Sequence, residues 1–227
     1  MTPSPPISPA TLKRLSVYLR FLRKMQRDGA GIVSSLELAD GLHLSPAQIR
    51  RDLGQLGDFG IRGVGYQIDD LAERIYRLLD LDKDHPLVIV GMGALGSALA
   101  GFIDFNDDSF HVVAGFDIDP AKVNRIWRGL PIHEVSALAP TVEEIGAKIA
   151  VLTVPPEAAV ECYEALAAAG IRAVLNFVPV TLPERETVEL KNVDLRTYLE
   201  ETAFLLRSVE DPEGGELVEP KGIDTER

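Results

Sequence analysis

Two groups of residues in this 227-residue chain have types and spacings that can do chemistry. The first is "LVIVGMGALGSALA" (87–100), where Gly91, Gly93 and Gly96 follow an apolar run and open a second one. Glycines at G-x-G-x-x-G spacing allow a tight turn, a pyrophosphate against bare backbone, and close packing of a helix on a strand. The stretch Gly91, Met92, Gly93, Ala94, Leu95, Gly96 would then present the free N–H groups of a helix N-terminus to phosphate. Asp117, 21 residues after Gly96 in "GFDIDP", stands where a carboxylate accepts ribose hydroxyls and disfavours a 2′-phosphate. NAD(H) is the expected ligand. A Rossmann-like domain that has lost its nucleotide, or that takes coenzyme A, would carry the same pattern.

The second group is "SPAQIRRDLGQLG" (45–57). Ser45, Pro46 and Gln48 read as a capping box opening a helix. Ile49, Leu53 and Leu56 share its inner face, and Ala47, Arg50, Arg51, Gly54 and Gln55 its outer one. Arginine pairs bidentately with guanine or neutralises phosphate. Most charged helix faces are simply solvated, so the charge map decides. The chain carries a net charge of -12, but residues 1–66 hold nine basic and five acidic side chains, a net of +4, and the remainder a net of -16. That division suits a first part that meets a polyanion.

The elements needed to position these groups are readable. Ser8 caps a helix that Gly29 stops, with Leu12, Leu15, Leu19, Leu22 and Met25 in its core stripe. A short helix from Ser34 or Ser35, the arginine helix and a glycine-rich hairpin "DFGIRGVGYQI" follow, with Arg62 near the bend. That is the order of a winged helix-turn-helix, whose last helix lies in the DNA major groove. An amphipathic helix with Leu71, Ile75, Leu78 and Leu79 inward closes this part. Apolar runs at 87–90, 111–116, 148–154 and 173–178 alternate with helical segments, as in a doubly wound parallel sheet. "VDLRTYLEETAFLLRSVE" reads as a short strand and a final helix. The expected divisions are 1–84, DNA-binding with a linker helix; 85–196, NAD(H)-binding; 197–210, a terminal helix; and 211–227, a disordered acidic tail.

Other chemistry is thinly represented. The single Cys162 excludes thiol pairing, and no run approaches the length of a membrane helix, so a soluble cytoplasmic protein with no membrane partner is expected. His43, His85, His111 and His133 all fall too early to serve a nicotinamide, and no metal site is expected. Asp194 is the one late carboxylate in a suggestive place, and the residues alone favour an ordinary strand-end acid there. The expectation is a non-enzyme. The alternatives are an NAD-dependent oxidoreductase with an accessory N-terminal domain, or a regulator responsive to coenzyme A or another nucleotide.

The motifs "QIRRDL", "GIRGVGY", "VGMGALGSALA", "GFDIDP", "LTVP", "NFVPV" and "NVDL", in this order over about residues 8–209, resemble the Rex family of redox-sensing transcriptional repressors. The resemblance implies an α/β chain: an N-terminal winged helix-turn-helix, a Rossmann-like doubly wound parallel sheet, and a C-terminal helix swapped between subunits. It implies a homodimer on palindromic double-stranded operator DNA that NADH releases, with NAD⁺ competing weakly. Ala47, Arg50, Arg51, Gln55 and Arg62 would meet DNA. Arg20 and Asp194 match a switch pair, and Phe102 stands where the family has tyrosine, beside the nicotinamide.

Overall fold

The computed structural model describes residues 7–57, 60–61, 63–106 and 109–210. Arg62 and the acidic segment 211–227 lie outside the described residues. The chain divides between Asp84 and His85 into two compact units.

In the first unit, α1 (Pro9–Arg27), α2 (Ser35–Leu42) and α3 (Pro46–Gly54) are followed by α4 (Ile68–Leu78). Two short strands, β1 (Ile32–Val33) and β2 (Tyr66–Gln67), pair antiparallel. Ser8, Ser34 and Ser45 each cap a helix by accepting a backbone N–H three residues on. The full capping box belongs to Ser34 and Glu37. At Ser45 it is only half made, because Gln48 turns its amide to Asp52 instead of back to the cap. Leu15, Tyr18, Leu19, Leu22, Ile49, Leu53, Ile68, Leu71 and Ile75 form the core. Each such side chain contributes about 1.5–3 kcal/mol by leaving water. Leu12 and Leu78, expected inward, are 37% and 39% exposed, each in a terminal turn of its helix. One antiparallel bridge joins Ile61 to Gly65, and β2 pairs across to β1, a strand the apolar pattern did not reveal.

The second unit is a seven-stranded sheet built from β3 (His85–Val90), β4 (Phe110–Asp117), β5 (Arg125–Trp127), β6 (Leu130–Glu134), β7 (Ile149–Leu152), β8 (Ala173–Asn176) and β9 (Glu189–Asn192). Their order is β5-β6-β4-β3-β7-β8-β9, parallel except for the edge strand β5. Leaving β5 aside, this is the 3-2-1-4-5-6 winding of dinucleotide-binding sheets, with its switch point at β3. Helices α5 (Ala94–Asn106), α6 (Leu138–Ile145) and α7 (Ala159–Ala168) connect the strands, and α8 (Leu195–Glu210) ends the described chain. Val88, Val90, Phe116, Leu152, Tyr163 and Leu166 fill one side of the sheet, and Leu87, Ile89, Met92 and Ile132 the other.

The strand expected at "VDL" lies earlier, at Glu189–Asn192. Asp194 instead caps α8, accepting the Arg196 N–H at 2.9 Å and the Thr197 hydroxyl at 3.2 Å. Every described side chain of α8 is exposed, including Leu199 at 69%, Phe204 at 63% and Leu205 at 56%. No helix among the described residues is long and apolar enough to cross a membrane.

Candidate functional site

The glycine turn sits between the end of β3 and α5, at the switch point. Gly91 has φ +97, and a Cβ there would lie 2.6 Å from the Thr153 carbonyl oxygen. Gly96 faces the Gly91 carbonyl so closely that a methyl group would collide with it. A Cβ on Gly93 would meet nothing within 4 Å, so its backbone is open on the side where a pyrophosphate would pass. Met92 is buried, whereas Ala94 and Leu95 are exposed at the start of α5, where the first N–H groups have no intrahelical acceptor. Thr153 buttresses the turn by donating its hydroxyl to the Gly91 carbonyl at 2.7 Å.

Asp117 ends β4 beside this turn and is almost wholly buried. One oxygen accepts the N–H groups of Ile118 (2.8 Å) and Asp119 (2.9 Å); the other accepts the Met92 N–H (3.0 Å) and the Lys122 ammonium (3.0 Å). A carboxylate has about four lone-pair sites, so all are in use. Burial alone would push this carboxyl up, but the Asp119 N–H, Lys122 and the Ile118 N–H outweigh it and hold it below the usual range. A ribose hydroxyl that is to reach Asp117 must displace a donor, and Lys122, 39% exposed, is the one free to swing.

A cleft of about 520 Å³ runs from Gly91 and Gly93 past Asp117 to apolar walls at Ile118, Val135 and Pro155. Those walls suit a planar base, and the open glycine backbone suits phosphate. Cys162 also lines it, buried, with its thiol pushed up by burial and then by the Glu161 charge. A second cleft, about 530 Å³, lies across Leu95 at the ends of β8 and β9, lined by Phe177, Pro179, Asn192 and Asp194. Buried Asn176 holds its floor, donating to the Val178 carbonyl and to Asn192. The two clefts flank the glycine turn, as the two halves of a dinucleotide require. Phe102, on α5, is 65% exposed.

In the first unit, α3 presents Ala47, Arg50 and Arg51 to solvent, with Gln55 half-buried at its C-cap. The two arginines differ. Arg50 donates to the Ser35 hydroxyl at the start of α2 (3.1 Å), whereas Arg51 reaches Gln48 on its own helix (3.4 Å). Arg20 is exposed on α1. Lys122, Thr153 and Asp52 were absent from the sequence-based candidates. "LTVP" marked the place of Thr153, but no local pattern separates Lys122 or Asp52 from other charged residues.

Comparison with known proteins matches two families. A family described as "Putative DNA-binding protein N-terminus" matches residues 6–54, and one described as "CoA binding domain" matches residues 82–180. The redox-sensing transcriptional repressor Rex of Desulforamulus reducens is 40% identical over 200 residues, covering 88% of this chain and 95% of that protein. Rex of Desulfitobacterium hafniense is 40% identical, covering 87% and 94%. Among solved structures, RSP in complex with β-NAD⁺ and operator DNA superposes with a TM-score of 0.85 at 30% identity, covering 91% of this chain and 95% of that one. RSP with β-NADH gives 0.79 at 29% identity, covering 90% and 96%. RSP is itself described as a Rex-family repressor. With its arginine-bearing helix, glycine turn and 3-2-1-4-5-6 sheet, the chain belongs to the Rex family of redox-sensing transcriptional repressors.

Proposed function

We propose that this chain represses transcription from the cytoplasm by binding a palindromic operator as a homodimer, and that NADH binding releases it. The observation that carries this reading is the presence, in one polypeptide, of a solvent-facing arginine helix and a cleft with an open glycine backbone beside a buried acid. The relatives solved with operator DNA and with NADH support it.

The residues divide the work. Arg51, Ala47 and Gln55 face the base edges, while Arg50, held toward the start of α2, meets the phosphate backbone; Arg62 is assigned as a further DNA contact. Gly91 to Gly96 cradle the pyrophosphate, and Asp117 with Lys122 holds the ribose. When bound, the dinucleotide supplies a ring that is cationic when oxidised and neutral when reduced. Asp194 stands at the second cleft, where it feels that difference, and Arg20 is the second residue we assign to the switch. Phe102 packs beside the ring without a hydrogen bond. The apolar face of α8 is covered by a second copy of the chain, because so many exposed large side chains on one helix require a partner.

The test is a gel shift on a palindromic duplex with NADH, NAD⁺, NADPH and coenzyme A titrated separately. Release at the lowest concentration by NADH supports the reading. Release by coenzyme A alone replaces it with the nucleotide-responsive alternative.

A further inference from the structure

Asp52 follows directly on Arg50 and Arg51 in α3, yet its side chain is fully buried while theirs are exposed. Taking a carboxylate out of water is costly, and a well-packed apolar residue often serves stability as well or better. This one is fully satisfied. Arg14, on α1, donates from Nε at 2.6 Å to one carboxylate oxygen and from Nη2 at 2.7 Å to the other. The Tyr18 hydroxyl, also on α1, donates at 2.7 Å, and Thr11 at 3.5 Å. Gln48, one turn earlier on α3, donates its Nε2 at 2.9 Å. Its other end, Oε1, accepts from Arg51 Nη1 at 3.4 Å. An unbroken run of side chains thus leads from the buried face of α1 to a guanidinium on the solvent face of α3.

We propose that Asp52 is a positioning residue for operator reading: held by Arg14 and Tyr18, it fixes the rotation of α3 on α1 and, through Gln48, the aim of Arg51. The proposal rests on reading α3 as the helix that meets DNA. The apolar contacts of Ile49 and Leu53 resist separation of the helices but resist rotation weakly, since dispersion has little direction. A forked guanidinium–carboxylate pair has direction. On a helix whose side chains reach about 5–6 Å from the axis, a rotation of roughly 20° moves a tip by about 2 Å. That displacement is enough to break a bidentate contact with guanine, while phosphate contacts, being less directional, survive it. The buried charge therefore serves selection between sequences more than affinity for DNA as such.

The experiment uses the full chain and a duplex selected by the wild-type protein from a random pool, with a scrambled duplex of equal length and composition as reference. Gln48→Ala, Tyr18→Phe and Asp52→Asn are compared with Arg51→Ala across a salt series, with thermal melting as the folding control. Gln48 is only half-buried, so its variant folds even if Asp52→Asn does not. Gln48→Ala is expected to lose about tenfold on the selected duplex, within the range of one bidentate base contact, and nothing on the scrambled one. Combined with Arg51→Ala it should lose no more than Arg51→Ala alone, because the two act on one contact. Wild-type selectivity in Gln48→Ala and Tyr18→Phe, with Arg51→Ala impaired, overturns the proposal. Equal losses on both duplexes also overturn it, by showing a structural role alone. If Arg51→Ala itself binds like wild type, the reading of α3 fails first.

Discussion

The Lys122 ammonium lies 3.0 Å from Asp117 and 3.6 Å from Asp119, so the acid at the end of β4 enters the dinucleotide cleft as half of an ion pair. On the function proposed above, discrimination between NADH and NADPH falls to the pair. Lys122→Ala frees one acceptor site on Asp117 and removes a cation that would steady a 2′-phosphate. NADH affinity should change by less than threefold, and NADPH binding should weaken about tenfold, the scale of one charge-assisted hydrogen bond. Isothermal titration of both nucleotides decides it; an unchanged ratio would show that Lys122 faces away from the ribose.

Replacing Asp117 itself has a structural cost, because the N–H groups of Met92, Ile118 and Asp119 lose their acceptor. Asp117→Ala should lower the melting temperature as well as NADH affinity; the buried Met92 N–H left unsatisfied alone should cost about 1–3 kcal/mol of stability. A variant that melts like wild type would refute this anchoring role.

Arg50→Ala and Arg51→Ala should each weaken operator binding by roughly 1–3 kcal/mol without altering NADH binding. They should differ in kind. Arg50 rests on Ser35, so its loss should reduce the salt slope by about one and affect all sequences alike. Arg51 should relax selection at one base position. Identical salt slopes and selectivities in the two variants would erase the distinction.

Asp194 caps α8, so an alanine there would remove a helix cap together with a charge. Asp194→Asn keeps the cap and loses only the charge. It should bind operator and NADH yet release DNA poorly when NADH saturates it, as should Arg20→Ala. Full release by NADH in both variants would dismiss the pair as the switch.

Removing residues from Tyr198 onward should give a monomer or aggregate in sedimentation analysis and abolish operator binding, since a palindrome needs two half-sites. Ending the chain after Glu210 should change neither. A stable DNA-binding dimer lacking α8 would place the dimer contact elsewhere.

Acid should destabilise both units through named carboxylates. Asp52 and Asp117 are each pushed up by burial but pulled further down by their hydrogen-bond donors, ending below the ordinary value. With the folded value below the unfolded one, the unfolded chain binds more protons between the two, and stability falls as pH drops through that interval. The loss should begin near pH 4, where unfolded aspartates titrate. A melting series should show a shallower acid limb for Asp52→Asn than for wild type.

The glycine turn, the acid 21 residues on and the arginine helix were legible because each depends on neighbours within a few positions or on one strand–turn–helix unit. Asp52 was not, because its burial is decided by Arg14 and Tyr18, which lie 38 and 34 residues away. Lys122 was missed for a similar reason: its partner is fixed by how the loop after β4 folds back. The β5–β6 hairpin turns at Arg128 and Gly129, with φ +50 and +91, where an Asn-Gly pair would have announced it. The half-made cap at Ser45 shows one local signature losing to another, since Asp52, one turn on in the same helix, captures the amide of Gln48.

The thiol of Cys162 lines the cleft beside the glycine turn but is buried, and burial and then the Glu161 charge push it up; a thiol that resists ionisation is a poor nucleophile. Peroxide and disulfide exchange therefore have little purchase on the chain's one cysteine. A signal carried by a ligand that comes and goes needs no reductase to erase it. A repressor switched by a bound nucleotide then resets no faster than that nucleotide dissociates.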